Sequence, residues 1–405
     1  MKRISYILFV LALGLFFALR LIATSEPKLP KNQSLKFAGV VKNEPRISKD
    51  QQVIKFADIS VYTNLYPLYH VGDKLQVEGF ADEKGRIFRP KIEFLGRNLT
   101  LSGYFSKFKL DLSRNIKKVL PAKEAALVQG AILGIDNIEA DFREELIRTG
   151  TIHVVVVSGQ NLMIVAGIFL SFVKYLGRRF SLILAILAVF LYAFLTGFEP
   201  PVVRASLVVL SSSVAIFFGR ESGALRNLIL AVVVILIIWP RAIGDISFQL
   251  TFAASLGIIT LGQYLARILN WSRFQEKSKF EILNLAAKNA AIATSAYIFT
   301  APIILFYFGR ISPVAPLVNV LVAELVAPIM VGGFLLVILG LLWTGFAQAF
   351  AILVYLPATF FVRTVSIFAK LPFSQMNFGQ ENVWLAIVLY VLIGLVMLVW
   401  SLRRK

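Results

Sequence analysis

Residues 151–168 form an apolar run that carries His153, Ser158, Gln160 and Asn161 near its start. A histidine and a serine are the pair from which a base-activated nucleophile is built. Polar side chains in such a run can equally line a wet cavity, because lipid satisfies none of them. His153 and Ser158 would point about 140° apart on one straight helix, so chemistry between them needs a backbone break. Ser158-Gly159 offers one, since glycine permits a kink or unwinding. The same small residues also allow close helix packing and cross-helix hydrogen bonds. Packing, pore contact and hydrolysis therefore all remain open for this segment.

Three further constellations sit at the ends of apolar segments. Glu199, Pro200, Pro201 and Arg204 form the first. The prolines can begin a helix, and Arg204, one turn in, needs a partner such as Glu199 or Asp245, or must snorkel to the surface. Asp245, Gln249 and Thr251 form the second; uncharged polar residues near the start of a span often join helices. Gly309, Arg310, Ser312, Pro313, Pro316 and Asn319 form the third. Its prolines predict a helix break, and with Arg310 and Asn319 it is either a substrate site, a gate or a structural break.

Absences narrow the chemistry. The sequence has no cysteine and two histidines, His70 and His153, which removes disulfides, thiolate sites and a histidine-based metal centre; no cofactor or metal is expected. No phosphate-binding G-x-x-x-x-G-K-[ST] loop occurs, so the chain is not itself a nucleotide-driven motor.

The elements that must position these residues are those of a polytopic membrane protein. Of 405 residues 58% are hydrophobic, and the apolar runs recur at membrane-spanning length. An N-terminal run over 1–23 reads as a membrane helix. Nine more segments follow, at 152–173, 180–197, 202–218, 226–239, 246–266, 289–308, 314–342, 346–368 and 383–402, about ten in all. The 314–342 segment, with Pro316 and Pro328, is expected to be broken or re-entrant. The formal net charge is +19, and basic residues cluster in alternate loops. That alternation puts both termini inside and residues 28–98 outside.

Residues 28–98 differ in kind. Leu75 and Val77 alternate with Gln76 and Glu78, and Phe88, Ile92 and Phe94 alternate with Arg89, Lys91 and Glu93. Turn signals separate them, so a small β barrel or sandwich of the five-stranded OB type is expected. Residues 104–150 read as amphipathic or interfacial helices. Phe105, Phe108, Leu112, Ile116 and Val119 recur at helical spacing among lysines and arginines, which suits either a membrane surface or packing on the β domain. Residues 151–405 hold the remaining spans.

Four motifs in order now carry a resemblance. Leu133-Gly134, Thr149-Gly150, His153 and Ser158-Gly159 come first, then Pro-Pro-Val-Val-Arg-Ala at 200–205, Phe248-Gln249-Leu250, and Gly-Arg-Ile-Ser-Pro through Asn319 at 309–319. In this order they resemble the ComEC competence-channel family over about residues 125–370, and the β domain resembles that family's OB-like domain. The resemblance implies an inner-membrane channel that passes single-stranded DNA into the cytoplasm during natural transformation. It implies no enzymatic activity, and partners that include the strand, a DNA receptor and a separate cytoplasmic ATPase or helicase. Longer members end in a metallo-β-lactamase-like domain, so a nuclease would here be a separate polypeptide. Asn161 stands where the family often has a second histidine, and some members carry more helices before the OB-like domain.

Under that resemblance an OB-type barrel would be a single-strand platform of basic and aromatic residues, with Lys84, Arg86, Arg89 and Lys91 as its candidate contacts. A small-solute or lipid transporter is the rival from another class; an intramembrane hydrolase using Ser158 and His153 is the third reading.

Overall fold

The computed structural model describes residues 32–41, 45–48, 51–56, 59–70, 72–83, 85–97, 101–155, 157–197, 202–203, 206–207, 223–268, 281–342, 344–379 and 383–402. The N-terminal helix expected over 1–23, and Lys84, Glu199, Pro201 and Arg204, lie outside them. The chain divides into two units. One comprises residues 25–144 and 331–356, the other residues 1–24, 145–330 and 357–405.

The first unit begins with a half-barrel sheet. Its strands are β1 (Gln33–Val40), β2 (Arg46–Ser48), β3 (Gln51–Phe56), β4 (Ile59–Asn64), β5 (Asp73–Ala81), β6 (Arg86–Phe88) and β7 (Lys91–Arg97). The order is β1-β5-β6-β4-β3-β2, with β7 also on β5. All pairs are antiparallel except β4–β6, which is parallel. Period-two alternation fixes the register. Leu75, Val77, Val61, Ile54 and Ile87 are fully buried on the inner face, while Lys74, Glu78 and Lys55 are exposed on the other.

The expected alternation through 88–94 holds only in part. A bend at Arg89-Pro90 divides it into β6 and β7. Ile92 packs on the core, whereas Phe88 and Phe94 are exposed. Gly79 lets β6 approach closely, because an added Cβ would lie 2.6 Å from Ile87 Cγ2. Gln52, buried in the wall, donates to the Asn64 carbonyl at 2.9 Å and the Pro67 carbonyl at 2.6 Å, and accepts from the Tyr69 N–H at 3.2 Å. One amide thus satisfies a whole turn that would otherwise leave buried polar groups unpaired.

Three helices follow, α1 (Leu101–Val119), α2 (Ala122–Leu133) and α3 (Ala140–Arg148). Leu112 and Ile116 of α1 are buried, and buried Gln129 of α2 donates to the Ser113 carbonyl at 2.9 Å. The apolar stripe of α1 thus meets α2. That helix is buried from Glu124 to Leu133, as its all-round apolar character requires.

In the second unit the chain continues through α4 (Ile152–Val155), α5 (Gly159–Leu170), α6 (Val173–Leu176), α7 (Arg178–Thr196), α8 (Ala224–Ile238), α9 (Ile246–Gly257), a π turn (Ile258–Gly262), α10 (Gln263–Ile268) and α11 (Glu281–Phe308). Two long helices, α12 (Ala315–Leu342) and α13 (Thr344–Ala369), pass between the units, and α14 (Val383–Leu402) follows. Six helical stretches are long and apolar enough to cross a membrane: Gly159–Leu176, Arg178–Thr196, Ile246–Ala266, Ala287–Phe308, Ala315–Leu341 and Gln348–Ala369. Two shorter apolar helices, Ala224–Ile238 and Val383–Leu395, stand beside them. Ile183, Leu187, Phe190, Leu191 and Phe194 of α7 are all exposed, an apolar face that suits a bilayer and not water.

The break expected within 314–342 is absent: α12 is one continuous helix. Pro316 sits in its first turn, where no intrahelical N–H is needed, and Pro328 removes a single bond. Helices α9 and α11 touch closely. A Cβ on Gly257 would lie 2.5 Å from the Ser295 carbonyl oxygen, and one on Gly262 3.0 Å from Ser295 Oγ.

Candidate nucleic-acid interface and membrane path

Two places bring the sequence-selected residues together, one in each unit. In the membrane unit the helix is interrupted between Val155 and Gly159, where α4 ends and α5 begins. Ser158 is extended at the α5 N-terminus, with φ −120° and ψ 165°. Its hydroxyl donates to Asn161 Oδ1 at 3.1 Å. The imidazole of His153 hydrogen-bonds the Gly150 backbone. The expected break is therefore present, but it couples Ser158 to Asn161 and not to His153.

Two glycines of the Leu-Gly and Thr-Gly pairs are explained by backbone geometry. Gly134 ends α2 at φ +64°, a left-handed conformation that favours glycine. Gly150 has φ +67°, and a Cβ there would meet Ala315 Cβ at 2.6 Å. Thr149 and Thr151 on either side are buried and share a hydrogen bond at 2.8 Å.

The other polar residues behave more locally than expected. Asp245 caps α9, its carboxylate accepting from the N–H groups of Ser247 (2.6 Å) and Phe248 (3.2 Å). Gln249 donates to the Ile243 carbonyl at 2.9 Å, and Thr251 to the Ser247 carbonyl at 2.7 Å. Both bond their own chain nearby, not a neighbouring helix. Gln249 also lines a cavity of about 250 Å³ with Pro302, Tyr307 and Tyr390. Arg310 lies in the short strand β8 (Arg310–Ile311), which pairs antiparallel with β9 (Met376–Asn377). Ser312 donates its N–H to the Tyr297 hydroxyl at 2.9 Å. The Ser312 hydroxyl and Asn319 Oδ1 are buried without a hydrogen-bond partner, the kind of orphan an ordered water commonly fills.

Sequence reading missed one cluster. Glu324 on α12 accepts from the Asn289 amide of α11, and Gln160 of α5 reaches the Ala323 carbonyl at 3.5 Å. The signal was available: Glu324 is an acid in an otherwise uncharged apolar run, which is expensive unless it serves something.

On the half-barrel the basic residues separate. Strand register aligns Ser60 with Arg86 and Tyr62 with Phe88, and Lys55 with Ser60. Tyr62 and Phe88 stack with centroids 4.8 Å apart. The Arg86 guanidinium lies 5.4 Å from the Phe88 ring centroid and is bridged to Asp82 at 2.8 Å. Lys55, Arg86, Tyr62 and Phe88 therefore share the outward side of β3, β4 and β6. Arg89 is exposed with φ +49° at the β6 end. Lys91 instead lies opposite Glu78, which is itself paired with Lys36 at 3.1 Å. Tyr69 packs against the core, and burial, with Asp73 beside it, pushes its phenol above the usual value. It stays a neutral wall residue. Among the described residues no group of three or more histidines, cysteines or carboxylates gathers to hold a metal.

Comparison with known proteins comes last. The family model described as Competence protein matches residues 133–403. ComE operon protein 3 of Bacillus subtilis (strain 168) is 27% identical over 210 residues, which is 50% of this chain and 25% of that protein. An uncharacterized protein of Aquifex aeolicus (strain VF5) is 27% identical over 255 residues, 62% of this chain and 56% of its own length. The chain thus spans a quarter to about half of the curated relatives it matches. No solved structure matches.

Proposed function

The chain belongs to the competence protein family, and we propose that it is an inner-membrane channel that passes single-stranded DNA into the cytoplasm. A role in DNA uptake for competence follows from the family; the single strand, the channel and the direction are our reading. The observation that carries it is the interrupted helix at Ser158-Gly159, with uncharged polar side chains at the break. A polyanion crossing lipid needs a polar lining without a trapping charge. Serine, asparagine and glutamine supply it where backbone irregularity is tolerated, along a cavity. The Ser158 bond to Asn161 favours this over a hydrolase, whose serine would face its base.

The half-barrel supports a receiving platform. Its parallel β4–β6 pair, set within otherwise antiparallel strands, is the connection an OB-type barrel uses, and its outward side pairs stacked aromatics with Lys55 and Arg86. Residues 28–98 then lie outside and both termini inside, with about ten segments in all. The strand arrives from a separate receptor and any paired strand is removed by a separate nuclease. A cytoplasmic ATPase or helicase supplies the drive.

Deletion of the gene is the direct test. Fluorescent DNA should still bind the cell surface while protected, internalised DNA disappears. Normal internalisation without the protein would refute the channel. Orientation is read separately in this cysteine-free chain: Lys84→Cys should react with an impermeant maleimide in intact cells, and Arg273→Cys only after lysis.

A further inference from the structure

Glu324 is the only carboxylate in the six membrane-length stretches. It lies nine residues into α12, roughly 14 Å along the axis at the usual rise, well within a hydrocarbon layer about 30 Å thick. Its side chain is exposed on the helix surface. Asn289 donates to Oε1, and among the described residues no bond to Oε2 is recorded. Pro328, four residues on, has no N–H to offer the Glu324 carbonyl, so the main chain is also left polar at this level.

The facing groups are uncharged. Helix α5 brings Gln160 and α11 brings Asn289. Lys288, next to Asn289, is the nearest basic residue on α11 and is exposed; α12 carries no other charge. No cation therefore neutralises the carboxylate among these partners. An anion held there is costly in lipid and repels a phosphate backbone in a channel. A neutral acid has neither fault, since it keeps the Asn289 bond and gains a donor at Oε2. Gln160, two residues from Ser158, ties this acid to the helix break.

We propose that Glu324 is a proton-binding site on the path, and that the strand passes only while its carboxyl is neutral. The second half rests on the channel reading; the first half does not. The proton comes from water and is held on Oε2, with no bond broken in the protein.

Two measurements test this. The full-length protein in lipid vesicles is treated with an apolar carbodiimide, which adds to protonated carboxyls, and Glu324 is followed by mass spectrometry as pH rises. Glu324 should be modified, with a yield that falls toward alkaline pH, while water-exposed Glu78 stays unmodified. No modification at any pH, or a yield independent of pH, overturns the site. In cells, wild-type uptake of labelled DNA should fall as external pH rises. Glu324→Gln should carry DNA without that fall, and Glu324→Asp should keep it. A Glu324→Gln protein that reaches the membrane yet keeps the wild-type pH dependence, or stops uptake, overturns the gating. If the wild type takes up no DNA at all, the channel reading fails, and the carbodiimide result still decides the proton site.

Discussion

The half-barrel and the helical unit hide opposite things. In the half-barrel, Ile54, Val61, Leu75, Val77 and Ile87 are fully buried and the charges are outside. Among the membrane helices, Asn161, Ser181 and Ser295 are fully buried while Ile183, Phe190 and Leu191 stand exposed. One chain follows both rules because each unit answers to its own solvent. Water rewards removal of apolar area, whereas lipid rewards only close packing and satisfied polar groups. The strand-binding chemistry should accordingly sit on the surface of the half-barrel and in the interior of the helices.

The sharpest way to break this contrast is a glycine at a helix crossing. Gly257→Leu places side-chain atoms against the Ser295 backbone, which no rotamer change relieves. The cost should reach or exceed the usual overpacking range of about 1–3 kcal/mol, and little protein should be found in the membrane by immunoblot. Gly159→Leu is expected to be different in kind: the protein reaches the membrane and uptake of labelled DNA stops.

Next in size is the platform. Tyr62→Ala with Phe88→Ala should weaken single-strand binding by the full-length protein by about 1–3 kcal/mol per lost stack, measured by fluorescence anisotropy in nanodiscs. Unchanged binding would remove the half-barrel from the path. Arg86→Ala should lower the slope of affinity against salt by about one phosphate contact, while Lys91→Ala, opposite Glu78, should leave it unchanged. Smallest is Ser158→Ala, which loses the Asn161 bond and should cost roughly 1 kcal/mol or less, with most DNA uptake retained. A collapse there would restore the hydrolase reading.

Much of this was legible beforehand. Period-two alternation foretold the inward Leu75 and Val77, and the small residues at 158–159 foretold the helix break. What escaped was long-range. No local pattern says that Asn289 meets Glu324, because the two are joined by helix crossing and not by spacing. The alternation across 88–94 failed because Arg89-Pro90 bends the chain and changes its phase. The proline-based break in α12 failed because Pro316 occupies a first turn. Lys84, Glu199, Pro201 and Arg204 lie outside the described residues, so their roles stay with the proposal.

The π turn between α9 and α10 behaves like a one-letter insertion in a reading frame. Gly257 and Gly262 would stand about 140° apart on an unbroken α-helix, yet both abut Ser295. The widened turn takes up the additional residue and restores the phase. Removing one residue from 258–262 would regularise the hydrogen bonding and rotate everything from Gln263 onward by about 100°. The helix would then gain regularity and lose its seat on α11, so a shorter and locally better helix would make a worse protein.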